Sequence, residues 1–164
     1  MNTGADLRDI DRADVYKGNV RAGSLTRSGD NVSFDYDDDY LARPGADPVA
    51  WSLPTDAVDV SVGAGSVPPF FAGLLPEGVR LSGVVAGMKT SEDDHFTILL
   101  GVGSDTIGDV RVVPHGTELQ PATLAFDPES PSPDLRALFD QLSGPDSMRV
   151  DTASLPGVQG KVSA

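Results

Sequence analysis

The chain has 164 residues, enough for one domain, or one domain plus a piece of another, with a core of ordinary density. Its 25 acidic against 12 basic side chains give a net charge of −13, a surface that repels phosphate backbones and anionic membranes at long range. Direct nucleic-acid binding and membrane contact are therefore not expected, and the acidity reads first as solubility. The absence of cysteine excludes disulfides and thiolate metal sites and accords with a reducing compartment. No apolar run approaches the length of about 20 residues that spans a bilayer, and the N-terminus lacks a basic region and an apolar signal core. The expected location is the cytoplasm.

Residues 1–12 are polar and without periodicity, and read as a mobile leader. From Ala13 onward short strands follow: Asp14 to Tyr16, a turn at Lys17-Gly18-Asn19, then Val20 to Thr26. After a second turn at Ser28 to Asn31, Val32, Phe34 and Tyr36 alternate onto one face, which predicts a three-stranded antiparallel meander. Asp37-Asp38-Asp39 lacks the spacing of a calcium loop and reads as a solvated turn entering a helical turn at Tyr40 to Ala42. Val49 to Pro54 is predicted as a further strand, and Val58 to Val62 as another strand or edge segment.

The most informative stretch runs from Pro68 to Arg80. Two adjacent aromatics, Phe70 and Phe71, and two adjacent leucines, Leu74 and Leu75, stand between prolines. Prolines suit a first helical turn, and Pro76 with Gly78 stops the helix after about two turns. Core packing is the natural role of the two phenylalanines. Leu81 to Met88 reads as an apolar helix containing two glycines, which tight packing would explain. A short helix then carries Phe96, Leu99 and Leu100 on one face, and glycines with Asp105 turn the chain into a strand at Val110 to Val113. His95 has no second ligand at useful spacing and is read as a surface residue, with no metal site.

Residues 115–133 are proline-rich and mark a connector. Within 134–142, Leu135, Leu138, Phe139 and Leu142 share one face of an amphipathic helix, stopped by Gly144-Pro145. Residues 153–162 read as strand, glycine turn and returning strand, with Ser154 and Lys161 beside the turn. Backbone N–H groups in such a turn can cradle phosphate and a lysine can neutralise it, but the Walker pattern is absent because Leu155 and Val162 stand where it requires glycine and a hydroxyl.

Three stretches taken together resemble the HipA-type serine/threonine kinases, the toxin component of bacterial toxin–antitoxin pairs. They are Phe70-Phe71 through Leu74-Leu75-Pro76-Glu77-Gly78 to Arg80, Asp94 through Phe96, Leu99-Leu100 and Asp105 to Gly108, and the loop Ser154 to Lys161. Ser52-Leu53-Pro54 matches a fourth, shorter element, while Asp109 and Gly160 depart from the family pattern. The resemblance implies an α+β fold, with a small antiparallel β-barrel-like sheet capped by short helices, followed by a connector helix and a β-hairpin. It divides the chain into a leader at 1–12, an N-terminal subdomain at 13–114, a connector at 115–147 and the first hairpin of a kinase core at 148–164.

By the same resemblance, Ser154, Pro156, Gly157, Val158, Gln159, Gly160 and Lys161 form the loop that covers ATP phosphates, and Ser154 falls on the autophosphorylated serine. Phosphate there would add a charge of roughly −1.5 to −2 and could expel the loop from the nucleotide site. ATP and Mg2+ are implied for the full-length enzyme, with no tight binding of either expected for this chain. The catalytic aspartate and metal-binding residues would lie beyond Ala164, so catalysis by this chain alone is not expected. The implied partners are a HipB-like DNA-binding antitoxin, the rest of the kinase core and a protein substrate of the translation apparatus. The alternative is a free-standing, non-catalytic binding module that regulates a separately encoded HipA-like kinase.

Overall fold

The computed structural model describes residues 6–57, 60–106 and 108–119, with Asp134 and Arg136 beyond them. Alternating apolar residues and tight glycine turns build the meander. Strand β1 (Arg12–Lys17) pairs antiparallel with β2 (Val20–Ser28), and β2 pairs with β3 (Asn31–Tyr36). Gly18 and Gly29 take positive φ in the two connecting turns, a conformation that side chains with a Cβ resist. After the single helical turn α1 (Asp38–Leu41), strand β4 (Val60–Val62) joins the free side of β3. Three helices follow, namely α2 (Pro69–Ala72), α3 (Gly78–Met88) and α4 (His95–Val102). Strand β5 (Val110–Pro114) then returns to the other side of β1.

The sheet therefore has the order β4-β3-β2-β1-β5 and is open, which corrects the expectation of barrel-like closure. Closure would require β4 to pair with β5. The outer edge of β5 is already engaged, because Val112 N–H donates to Gly103 O at 2.7 Å and the Thr106 hydroxyl donates to Val110 O. With only three residues, β4 offers little ladder in return. The α+β class holds.

Cross-strand neighbours lean to the same face of a pleated sheet. One face thus gathers Ala13, Val15, Leu25, Val32, Phe34 and Val112, all buried, and the helices contribute Phe71, Phe96, Leu99 and Leu100 to the same core. A smaller cluster of Val84, Ile98 and Val102 joins α3 to α4. Burying a side chain such as Phe71 contributes about 1.5–3 kcal/mol. Gly23 sits where Cβ would fall 2.2 Å from Asp35 O, so β2 and β3 meet there only because the side chain is absent. Ala22 is the extra residue of a bulge opposite the Val15/Tyr16 step, and it bends β2 at that point.

Three further expectations change. The Val49–Pro54 strand is instead a tight turn with one bridge between Ala50 and Leu53. Prolines on both sides interrupt a ladder, and the Tyr36 hydroxyl bonds both Val49 N–H and Leu53 O in place of a neighbouring strand. The helix at Pro69 lasts one α-turn and continues only as hydrogen-bonded turns, Leu74 N–H to Phe71 O and Leu75 N–H to Ala72 O. The stretch read as a mobile leader is engaged from Asp6 onward. A 3-10 turn at Leu7–Asp9 places Leu7 and Ile10 against the core.

Candidate functional site

The Pro68 to Arg80 stretch shapes one wall of the core. Pro69 occupies the first position of α2, and the turn drives Phe71 into the interior, where its ring lies 5.3 Å from that of Phe34. Phe70 meets Phe71 edge-on at 5.2 Å and is half-buried, and Leu74 and Leu75 pack against the same core. Gly78, at φ +58°, redirects the chain into α3. The packing role expected of both phenylalanines is what the structure places there.

The second motif builds a polar knot around Arg27, a residue that carries no motif or pattern signal. Asp94 caps α4 by accepting from Thr97 N–H at 3.2 Å, and it also accepts from the Thr90 hydroxyl at 2.7 Å. Arg27, inward on β2, donates to Asp94 at 3.2 Å and to the Thr97 hydroxyl at 3.1 Å. Its other nitrogens reach Asp11, Arg8 O and Ile10 O, and its guanidinium carbon stands 4.9 Å from the centre of the Phe96 ring. One side chain therefore fixes the N-terminal turn, β2 and α4. Burial pushes the Asp94 carboxyl up, but its bonds to Thr97 and Thr90 and the Arg27 charge outweigh that and hold it below the usual carboxylate range.

A second knot lies on the opposite face of the sheet. Asp14, nearly buried, accepts from Arg21 Nε at 2.9 Å, from His115 Nδ1 at 2.9 Å and from Gly116 N–H at 3.0 Å. A carboxylate only accepts, so Nδ1 carries the proton in this contact. Desolvation raises the Asp14 carboxyl, and the bonds from His115 and Gly116 with the charge of Arg21 bring it below its ordinary value. Arg21 also pairs with Asp37 at 3.2 Å.

His95, expected at the surface, is half-buried, with Nδ1 3.1 Å from the Ser66 hydroxyl, a contact that ties the 63–66 loop to the start of α4. Among the described residues no group of three or more His, Cys, Asp or Glu could hold a metal ion, and no helix is long and apolar enough to cross a membrane. Ser154, Pro156, Gly157, Val158, Gln159, Gly160 and Lys161 lie outside the described residues, as does the predicted helix face of Leu135, Leu138, Phe139 and Leu142.

The fold and these contacts define an α+β domain in which an open antiparallel sheet is held to its helices by a phenylalanine core and the Arg27 knot, with the Asp14 knot on the opposite face. A family model described as the HipA N-terminal domain matches residues 13–113, and the chain belongs to that family. No curated protein matches the chain. Among solved structures it is similar to a chain of the Shewanella oneidensis MR-1 toxin–antitoxin complex of HipA, HipB and operator DNA. The TM-score is 0.55 at 23% identity, over 68% of this chain and 26% of that one. At that identity the likeness speaks for the fold, and this chain spans about a quarter of the neighbour's length.

Proposed function

We propose that this chain supplies the N-terminal subdomain of a HipA-like serine/threonine kinase toxin, bracing the kinase core and contributing to contact with a HipB-like DNA-binding antitoxin. The observation that carries the reading is the family match over residues 13–113, which takes in nearly the whole sheet, the phenylalanine core, and Arg27, Asp94, Asp14 and Arg21 of the charged knots. The residues of such a subdomain do not transfer phosphate. They hold a rigid platform, and the structure supports that role through the enclosed core and the Arg27 knot.

In this reading Ser154 to Lys161 form the loop over ATP phosphates, and Ser154 is a regulatory phosphosite. ATP with Mg2+ would supply the phosphoryl group in the full enzyme, its metal ligands coming from outside the described residues. The test is co-expression with a HipA-like kinase core and its antitoxin, followed by size-exclusion chromatography with light scattering and phosphopeptide mass spectrometry. The expected result is one complex containing this chain and phosphate on Ser154, lost in Ser154→Ala. Elution of this chain alone, apart from both proteins, overturns the reading.

A further inference from the structure

Few large apolar side chains stand in solvent among the described residues, and Trp51 is the extreme case at 99% exposed. A single exposed leucine or valine on a surface is ordinary. A tryptophan is different, because it carries the largest apolar area of any side chain and is concentrated at the centres of protein interfaces. Trp51 is also held outward. The turn that carries it is anchored on both sides by Val49 and Leu53, both buried, and Leu53 N–H donates to Ala50 O at 2.9 Å. The Tyr36 hydroxyl clamps the two ends of the turn, accepting from Val49 N–H at 2.8 Å and donating to Leu53 O. A backbone fixed in this way loses little freedom when a partner covers its tip.

The charge around the turn says what covers it. The Tyr36 ring stacks on that of Tyr40 at 6.1 Å, and the Tyr40 hydroxyl donates to Asp47 O, so α1 and the segment before the turn meet at one corner. Asp38, Asp39 and Asp47 are exposed at that corner and take part in none of the ion pairs among the described residues. A second copy of a chain with net charge −13 is repelled from such a surface, as are DNA and anionic lipid. A protein face rich in Lys and Arg is attracted, and DNA-binding proteins carry such faces to neutralise phosphate.

We propose that Trp51 and the carboxylates of Asp38, Asp39 and Asp47 form a docking surface for a basic protein face containing an apolar pocket, the face being that of a HipB-like antitoxin. The inference rests on the antitoxin partnership proposed above and assigns it a surface. Tryptophan supplies the buried anchor, and the carboxylates steer the encounter and fix its register.

The test uses the full chain labelled with 5-fluorotryptophan, whose only tryptophan is Trp51, titrated with an unlabelled HipB-like antitoxin. The 19F resonance is expected to move on binding, and Trp51→Ala to weaken affinity by about 30-fold or more, the size of an interface hot spot. Because Trp51 lies outside the core, that variant keeps the fold. The triple variant Asp38→Asn, Asp39→Asn, Asp47→Asn is expected to slow association and flatten its salt dependence, while Val79→Ala, on exposed α3 surface, leaves binding unchanged. If antitoxin binds but Trp51→Ala alters affinity by less than about 3-fold, the surface assignment is overturned and the partnership stands. If the unmodified chain does not bind antitoxin, the partnership and the surface both fall. A 19F shift with a HipA-like kinase core and none with antitoxin likewise overturns the assignment.

Discussion

The two charged knots sit on adjacent strands yet on opposite faces of one sheet, and they hold the chain in different ways. Arg27 faces the core side of β2 and joins the N-terminal turn to the start of α4 through a planar fork of donors. Asp14 faces the other side of β1 and secures the chain as it leaves β5, through a single carboxylate that accepts from His115 Nδ1 and Gly116 N–H. The difference teaches what each knot retains in acid: Arg27 keeps its bonds to the Thr97 hydroxyl and to Arg8 O and Ile10 O when Asp94 is protonated, whereas the Asp14 knot centres on one carboxylate. The helical face is fixed by geometry. The exit from β5 is held by the ionised Asp14 carboxylate.

The largest expected effect lies at Arg27. Arg27→Met keeps the hydrophobic stem but leaves Asp94 without its charge partner, Thr97 without a donor and two carbonyls without guanidinium contacts. The expected loss is about 2–3 kcal/mol, at the low end for a broken pair because Asp94 retains some solvent. Urea denaturation at neutral pH measures it, and a loss below about 0.5 kcal/mol would make the knot ornamental. Arg27→Lys sharpens the point, since a single ammonium cannot reproduce the fork, and about half of that loss is expected.

Asp14→Asn comes next, with an expected cost of about 1–2 kcal/mol at pH 7, because Arg21 at this site is partly exposed and can be solvated in compensation. Its pH signature separates it from Arg27. A carboxyl depressed in the folded state adds stability above the unfolded value of about 3.9, and that stability is lost as pH falls through the lower folded value. The unmodified chain should therefore lose stability in that acid window, and Asp14→Asn should lose less there. Asp94 titrates in the same direction, so part of the acid loss persists in the variant. Equal acid slopes for the two proteins would remove Asp14 from the account.

Much of this was legible from residue order where the signal is local. Alternation at Val32, Phe34 and Tyr36, the proline entry at Pro69 and the spacing of Phe96, Leu99 and Leu100 all mark elements that the structure contains. What failed was long-range. An open sheet and a barrel have the same strands in the chain, and the contacts that occupy the edge of β5, Gly103 with Val112 and Thr106 with Val110, distinguish them. The Ala50–Leu53 turn looked like a strand because Tyr36, some 15 residues away, satisfies its backbone. Arg27 was overlooked at a strand end, although its parity with Leu25 points it inward and the capping Asp94 offers an opposite charge. The loop from Ser154 to Lys161 rests on resemblance alone, since it lies outside the described residues.

The smallest effect, and the sharpest test of the comparison, is at His115. Its side chain is half exposed, so removing it by His115→Ala should cost no more than about 0.5–1 kcal/mol at pH 7, with the backbone bonds from His115 N–H to Arg12 O and from Gly116 N–H to Asp14 intact. Its consequence is better read from Asp14. Losing the imidazole bond removes one of the interactions that favour the charged carboxylate, while burial still disfavours it, so the folded-state titration of Asp14 should move up toward its unfolded value. The acid loss of stability should narrow accordingly, since a smaller gap between folded and unfolded values carries less linkage. Carboxyl 13C shifts of Asp14 followed against pH in both proteins measure the displacement directly. Asp94 serves as the internal reference, because its partners belong to the other knot and its titration should not move.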